Sequence, residues 1–457
     1  MDYSSANTAL WNIVLQLGMI AGSILLANFL RNKIALIRNS MMPIAVMAGF
    51  LLLLAKYLGF VRVDGTLMEM LVYHGIALGF IAMSLRVPDP GAEKKNDLTG
   101  IKSGAVIVST YMVQGVTGLL ITLLLSYTFM PGLFKASGLL LPMGYGQGPG
   151  QANNIGSTYE ALGFAGGRSF GLSIAAAGYL VACIVGVVML NLMARKNKGE
   201  RQGKREEHVD ISFFQDKNEI PVSDSIDKLS VQLALVLLTY LGTYFAAYGL
   251  TTGIAAISAG LAKTLNTLIW GFNFIIGAAL AILLRLLLES GKKRGLIKRQ
   301  YQNNYLLNRI SGFFFDLMIV AGIASINVED LSGLWLPFLL LSVIGGIVTW
   351  YHLKAVCKEV YPAYYEEGLI SMFGMMTGTI SSGILLLREV DPDLATPAAN
   401  NLVIGSSFGI ILGIPVLILV GIAPRSDLMC WMTVLIAAVY LLLLRLFIRK
   451  AHRRKEK

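Results

Sequence analysis

Long apolar runs follow one another along this chain, separated by short polar loops, and two of the runs are broken by glycine and small polar residues. A hydrocarbon core about 30 Å thick needs roughly 20 apolar residues per helix. By that measure eleven spans are predicted, near 9–30, 42–60, 67–85, 103–129, 168–194, 229–250, 264–288, 307–326, 333–355, 397–422 and 428–448. Two stretches, about 135–162 and 366–390, are too broken or too short for ordinary spans and read as re-entrant hairpins. The first contains Gly144-Tyr-Gly-Gln-Gly-Pro-Gly-Gln-Ala-Asn-Asn-Ile-Gly156. Each glycine in a helix costs roughly 1 kcal/mol against alanine, so a lipid-facing helix is not expected there. Open backbone at membrane depth survives only where protein buries it or where it lines a wet cavity. The break is therefore a candidate place for holding something small and hydrophilic.

The loops between the runs assign an orientation. Arg31, Lys33 and Arg38 follow the first span; Arg86, Lys94, Lys95 and Lys102, mixed with Asp89, Glu93 and Asp97, follow the third. Arg195, Lys196, Lys198, Arg201, Lys204 and Arg205 follow the fifth, and Lys292, Lys293, Arg294, Lys298 and Arg299 the seventh. Arg449, Lys450, Arg453, Arg454, Lys455 and Lys457 close the chain. The opposite loops are neutral or mildly acidic, such as Asn327-Val-Glu-Asp330. Positive loops stay in the cytoplasm, so an outside N-terminus and a cytoplasmic C-terminus are expected. Composition agrees: 55% of the 457 residues are hydrophobic and 14% are charged, against about 25% charged in soluble domains. The net charge of +11 sits beside apolar spans and is not a nucleic-acid signal. Cys183, Cys357 and Cys430 have no repeating spacing and read as small buried hydrophobes. Met1-Asp-Tyr-Ser-Ser lacks the basic start of a cleavable signal peptide.

An internal repeat straddles the charged segment 195–228, which reads as a cytoplasmic linker. Met42-Pro-Ile-Ala-Val-Met-Ala-Gly49 has a counterpart in Trp270-Gly-Phe-Asn-Phe-Ile-Ile-Gly277, an offset of 277 − 49 = 228. The same offset, 374 − 146 = 228, lays Gly146-Gln-Gly-Pro-Gly150 on Gly374-Met-Met-Thr-Gly378. Gly167-Arg-Ser-Phe-Gly-Leu172 matches Gly405-Ser-Ser-Phe-Gly-Ile410 at 238, the added residues falling in Glu389-Val-Asp-Pro-Asp-Leu-Ala-Thr-Pro397. The expected plan is a first repeat over 1–194, the linker 195–228, a second repeat over 229–422, and an extra helix with a basic tail over 423–457. Five spans per half is an odd number, so the second half enters the membrane from the other side. Inverted repeats of this kind recur in secondary transporters, where both breaks meet near the midplane.

Those residues, together with the two five-helix halves, resemble the glutamate:sodium symporter family over about residues 10–422; the related 2-hydroxycarboxylate transporters share the plan. The resemblance implies sodium-coupled glutamate uptake through two glycine-rich re-entrant loops, with Na⁺ as coupling ion. Typical members carry a Gly-Gly-His-Gly-Thr-Gly type of loop, whereas this chain has Gln147, Pro149 and Gln151 and no histidine there. It also adds an eleventh helix and a long basic loop. The first departure bears on the substrate and the second leaves the mechanism untouched.

An anionic amino acid needs donors for its carboxylates and acceptors for its ammonium, and helix N-termini offer free N–H groups. The first break supplies Gly146, Gln147, Gly148, Gly150, Gln151, Asn153 and Asn154; the second supplies Thr377, Gly378, Thr379, Ser381 and Ser382. Asn400 and Asn401, beginning the tenth span, are either part of the site or a cap. Arg168 and Arg388 either clamp a carboxylate or anchor helix ends. Glu160 aligns with Arg388 between the repeats, and Asp316, in Phe313-Phe-Phe-Asp316, lies inside a predicted span as a cation ligand or an interhelical partner. His74 reads as a packing residue or a proton-coupling group. Lys56, Glu69 and Arg445 read as snorkelling side chains near the interfaces. No paired nucleophile and base points to an enzyme, and no Gly-x-x-x-x-Gly-Lys-[Ser/Thr] points to an ATP-driven pump. The expected partners are a small anionic substrate and membrane lipid, with a homodimer left open; the expected place is the plasma membrane. A proton- or sodium-coupled carrier of di- or hydroxycarboxylates is the alternative, and a channel the reading after that.

Overall fold

A computed structural model describes residues 3–4, 7–35, 37, 42–87, 98–196, 228–258, 266, 269–271, 273–296, 301–391 and 396–453. Most of the linker, the tail from 454, and the loop charges Arg38, Asp89, Glu93, Lys94, Lys95, Asp97, Lys298 and Arg299 lie outside the described residues. The described chain is helical without strands. In order it runs α1 (Thr8–Lys33), α2 (Ile44–Tyr57), α3 (Gly65–Ser84), α4 (Thr99–Tyr127), α5 (Pro149–Ala161), α6 (Gly167–Lys196), α7 (Lys228–Ile257) and α8 (Asn273–Lys293). Then come α9 (Asn304–Ala324), α10 (Trp335–Val360), α11 (Tyr365–Thr377), α12 (Ile380–Val390), α13 (Ala398–Leu412), α14 (Ile414–Ile422) and α15 (Asp427–Arg453).

Among the described residues, nine helices are long and apolar enough to cross a membrane, and a pair bent by 49°, Ala398–Leu412 with Ile414–Arg425, makes a tenth. The bend falls at Gly413-Ile-Pro415, where proline removes a helix donor. The span expected over 42–60 is shorter than it reads: α2 has 14 residues, about 21 Å, less than the hydrocarbon thickness. Its stop is chemical. Gly59 takes φ 76°, its N–H reaches the Lys56 carbonyl, and the Phe60 N–H reaches Ala55. This double bond to the last turn closes a helix with glycine in the left-handed region. At the start of α3, the Asp64 carboxylate accepts from the backbone N–H groups of Thr66 and Leu67 and from Asn12 Nδ2 at 2.6 Å. The Leu67 N–H, and then Asn12, hold that carboxyl below its ordinary range.

Packing divides the chain into two units, one of residues 1–72, 97–201 and 319–457, the other of 73–96 and 202–318. Each draws on both halves of the expected repeat. In the first unit α4 is the central element, with 72% of its most apolar window buried. Small residues set its approaches: a Cβ on Gly104 would stand 2.7 Å from Phe408 Cβ, and one on Gly405 2.8 Å from Ser103 Cβ. Outward, α1 and α15 expose rows of leucine, among them Leu15, Leu25, Leu435 and Leu442. Faces this apolar match lipid rather than water. In the second unit Leu78, Ile81, Leu85, Val236, Ala281 and Leu307 form the core, and α7 turns Leu237, Leu241, Phe245 and Tyr248 outward. These features make the chain a multi-pass membrane protein.

Candidate functional site

The glycine-rich break does not continue as an α-helix. Pro142 to Gly146 form one π turn, closed by the Gln147 N–H on the Pro142 carbonyl at 3.1 Å. Gly148 then adopts φ 84° and ψ −175°, and α5 starts at Pro149 with no side chain capping it. In the second break α11 stops at Thr377, Gly378 takes φ −140° and ψ −107°, Thr379 is extended, and α12 starts at Ile380, again without a side-chain cap. Helices α11 and α12 pack side by side because two glycines face each other: a Cβ on Gly374 would stand 2.9 Å from Gly383 Cα. Both breaks belong to the first unit, and they touch. A Cβ on Gly148 would lie 3.5 Å from Thr379 Cγ2 and 3.8 Å from the Gly378 carbonyl oxygen. Two uncapped helix N-termini thus lie beside each other, with donors free for an anion.

The side chains there are polar, buried and short of partners. Gln151 is 1% exposed, and neither its amide oxygen nor its nitrogen has a hydrogen-bond partner in the protein. Asn153 Oδ1, Thr379 Oγ1 and Ser382 Oγ likewise have none. A buried polar atom left unsatisfied costs about 1–3 kcal/mol, so a cluster of them marks a place where a ligand completes the bonding. Gly146 and Gly150 are buried at the same tip, Gln147 is half-buried and Asn154 is buried. Thr377 donates back to the Phe373 carbonyl at 2.8 Å within α11, and Gly378 packs against Tyr179 and Ser382. Ser381 lies in α12, its side chain outside the described residues.

Other candidates fall elsewhere. Arg168 Nη1 pairs with Glu69 Oε2 at 2.5 Å, Ser157 donates to Glu69 Oε1 at 3.0 Å, and Glu160 accepts from the Arg168 N–H at 3.0 Å. This ties α3 to the end of α5 and the start of α6. Arg388 is exposed at the far end of α12. Asn401 donates to Tyr364 OH at 2.7 Å and Asn400 is exposed, so neither caps α13. Asp316 belongs to the second unit, where its side chain is exposed and has no hydrogen bond among the described residues. His74, also there, meets Tyr240 OH through Nδ1 at 2.6 Å, and Asn273 donates to the same hydroxyl at 3.3 Å. Lys56 and Arg445 are bonded rather than simply snorkelling: Lys56 donates to the Ile326 carbonyl at 3.0 Å, and Arg445 pairs with Glu359 at 3.3 Å. The three cysteines are buried and form no disulfide among the described residues.

Gln114 and Thr349, not among the residues expected at the site, also border it. Gln114 on α4 donates to Thr349 Oγ1 on α10 and to the Met376 carbonyl at the end of α11, each at 2.9 Å. The signal was present, since Gln114 is the one amide side chain between Ser103 and Phe134. His352 on α10, likewise not among those expected, meets Ser109 Oγ at 3.0 Å.

The site has no formal charge of its own. Residues 103–134, 136–159, 169–194, 332–353 and 368–387 contain no Asp, Glu, Lys or Arg. Among the described residues no three His, Cys, Asp or Glu side chains are grouped to hold a metal ion. What remains is a set of neutral oxygens, amide groups and helix N-termini, a set that suits a carboxylate together with a weakly held monovalent cation. Set against known proteins, the chain matches no protein-family model and no curated protein.

Proposed function

We propose that this chain is a secondary symporter of the plasma membrane that imports a small organic anion, glutamate first, together with sodium, by alternating access. The observation that carries the reading is the meeting of two broken helical segments, each with an uncapped helix N-terminus, around buried polar atoms without protein partners. In this reading the breaks are re-entrant loops entering from opposite faces. They supply N–H groups to the carboxylates and neutral oxygens to the ion. The inverted repeat gains support from one further correspondence. The offset of 228 relates Gln114 to Ser342 (342 − 114 = 228), and each binds the break of the other half. Gln114 donates to the Met376 carbonyl, and the Ser342 carbonyl accepts from Tyr145 OH at 2.6 Å.

The second reading, a carrier of di- or hydroxycarboxylates, is favoured by the absence of any carboxylate side chain in the site to receive an ammonium. Uptake of labelled glutamate into proteoliposomes, with unlabelled dicarboxylates as competitors and with imposed sodium or proton gradients, tests both. Saturable uptake that collapses without sodium is expected for wild type, and Asn154→Leu or Gly150→Leu should abolish it while the protein still inserts. Ohmic current without counter-substrate would sink the carrier reading in favour of a channel.

A further inference from the structure

Gln114 reaches both breaks from a helix that belongs to neither. Its side chain is fully buried on α4. Nε2 donates to Met376 O and to Thr349 Oγ1, so both of its N–H groups are used. A main-chain carbonyl only accepts, so the atom facing Met376 must be the nitrogen, and the amide has a single chemically sensible orientation. The oxygen is thereby turned away. Oε1 has no hydrogen-bond partner in the protein and lies 3.0 Å from where a Cβ on Gly146 would stand. A Cβ at 146 would meet the Tyr111 ring and then this buried oxygen. The nitrogen is held by the second break and the oxygen is presented beside the first.

Resting on the transport reading above, we infer that Gln114 Oε1 is a binding acceptor for positive charge, either the monovalent coupling ion or the ammonium of an amino-acid substrate. The Nε2 group braces the end of α11 beside the first break. An amide oxygen suits this task, since it ligates a cation without adding a charge that would hold it permanently.

The test uses the full-length protein, with two measurements. One is the sodium-induced shift in thermal unfolding without substrate, read against choline. The other is uptake in proteoliposomes, giving half-saturation constants for sodium, glutamate and glutarate, a dicarboxylate without ammonium. If wild type shows neither a sodium shift nor uptake, the transport reading fails before any variant is compared. Given a responsive wild type, Gln114→Leu should raise a half-saturation constant by about ten-fold or more, as expected for losing a hydrogen bond to a charged group. A rise for sodium assigns the ion; a rise for glutamate but not glutarate assigns the ammonium. Gln114→Glu keeps an acceptor, so it should hold or lower that constant, and its lost donor to Met376 should appear instead as a lower maximal uptake rate. Thr349→Val removes a brace without touching Oε1 and should leave it within about two-fold. Equal loss in both Gln114 variants with unchanged half-saturation constants, or no change in either, would overturn the inference.

Discussion

Gly148 holds φ 84° and ψ −175°, a region that is essentially restricted to glycine. The space around it is not the constraint, because a Cβ there would meet its nearest neighbour at 3.5 Å. Gly148→Ala should therefore cost about 1–3 kcal/mol through the backbone alone. Lower thermal stability and reduced uptake are expected together; normal uptake would show that the turn does not need this shape. Asp64 is a second residue with a separable effect. Its carboxyl is held low, so the folded state gains from the charged form above the ordinary carboxylate range, and the gain disappears as pH falls through the lowered value. Asp64→Asn retains a good helix cap and should flatten that pH dependence, whereas Asp64→Ala should lose about 1 kcal/mol at neutral pH. Melting curves between pH 7 and pH 3 distinguish the two. At this scale the sequence exposed glycines and amides but not their geometry. Gln151 and Asn153 stand out as polar residues among apolar ones. Whether Gln114 points into a site or across to a neighbouring helix depends on contacts more than 200 residues away in the chain.

Helices were the most legible level, because a continuous apolar run of about 20 residues has few alternatives in lipid. The failures have local causes: Gly59 ends α2 early, and Gly413 with Pro415 bends the tenth span. The role of Arg168 could not be read from the run around it, since its partner Glu69 lies 99 residues earlier. The pair joins α3 to the start of α6 and is part-exposed, so its stabilising worth is about 1 kcal/mol at most. Charge reversal separates a tie between elements from a substrate clamp. Arg168→Glu and Glu69→Arg should each reduce thermal stability, and the double variant should recover it with near-normal uptake. A double variant that is stable but has lost affinity for the anion would return Arg168 to the binding machinery.

The two packing units each combine segments from the first and second halves of the chain, an arrangement no linear reading conveys. What the sequence does convey is where charge is absent, and the five charge-free segments around the breaks turn that into an electrical property. Under the proposed function, a site without formal charge would move only the charge of its cargo. In the proposed transport cycle the empty return would then proceed alike at any voltage, while the loaded step would feel about 2.3 kcal/mol per net elementary charge for each 100 mV. With one monovalent anion and two or more sodium ions, the loaded step is driven inward by a negative interior. Transient currents from proteoliposomes on a solid support should appear when sodium and substrate are added together. With both absent, a voltage step should displace no charge; a displacement from the empty protein would mean that its own charges cross the field. With no displacement in the empty protein, the membrane potential would act as a one-way force, felt on the way in and absent on the way back.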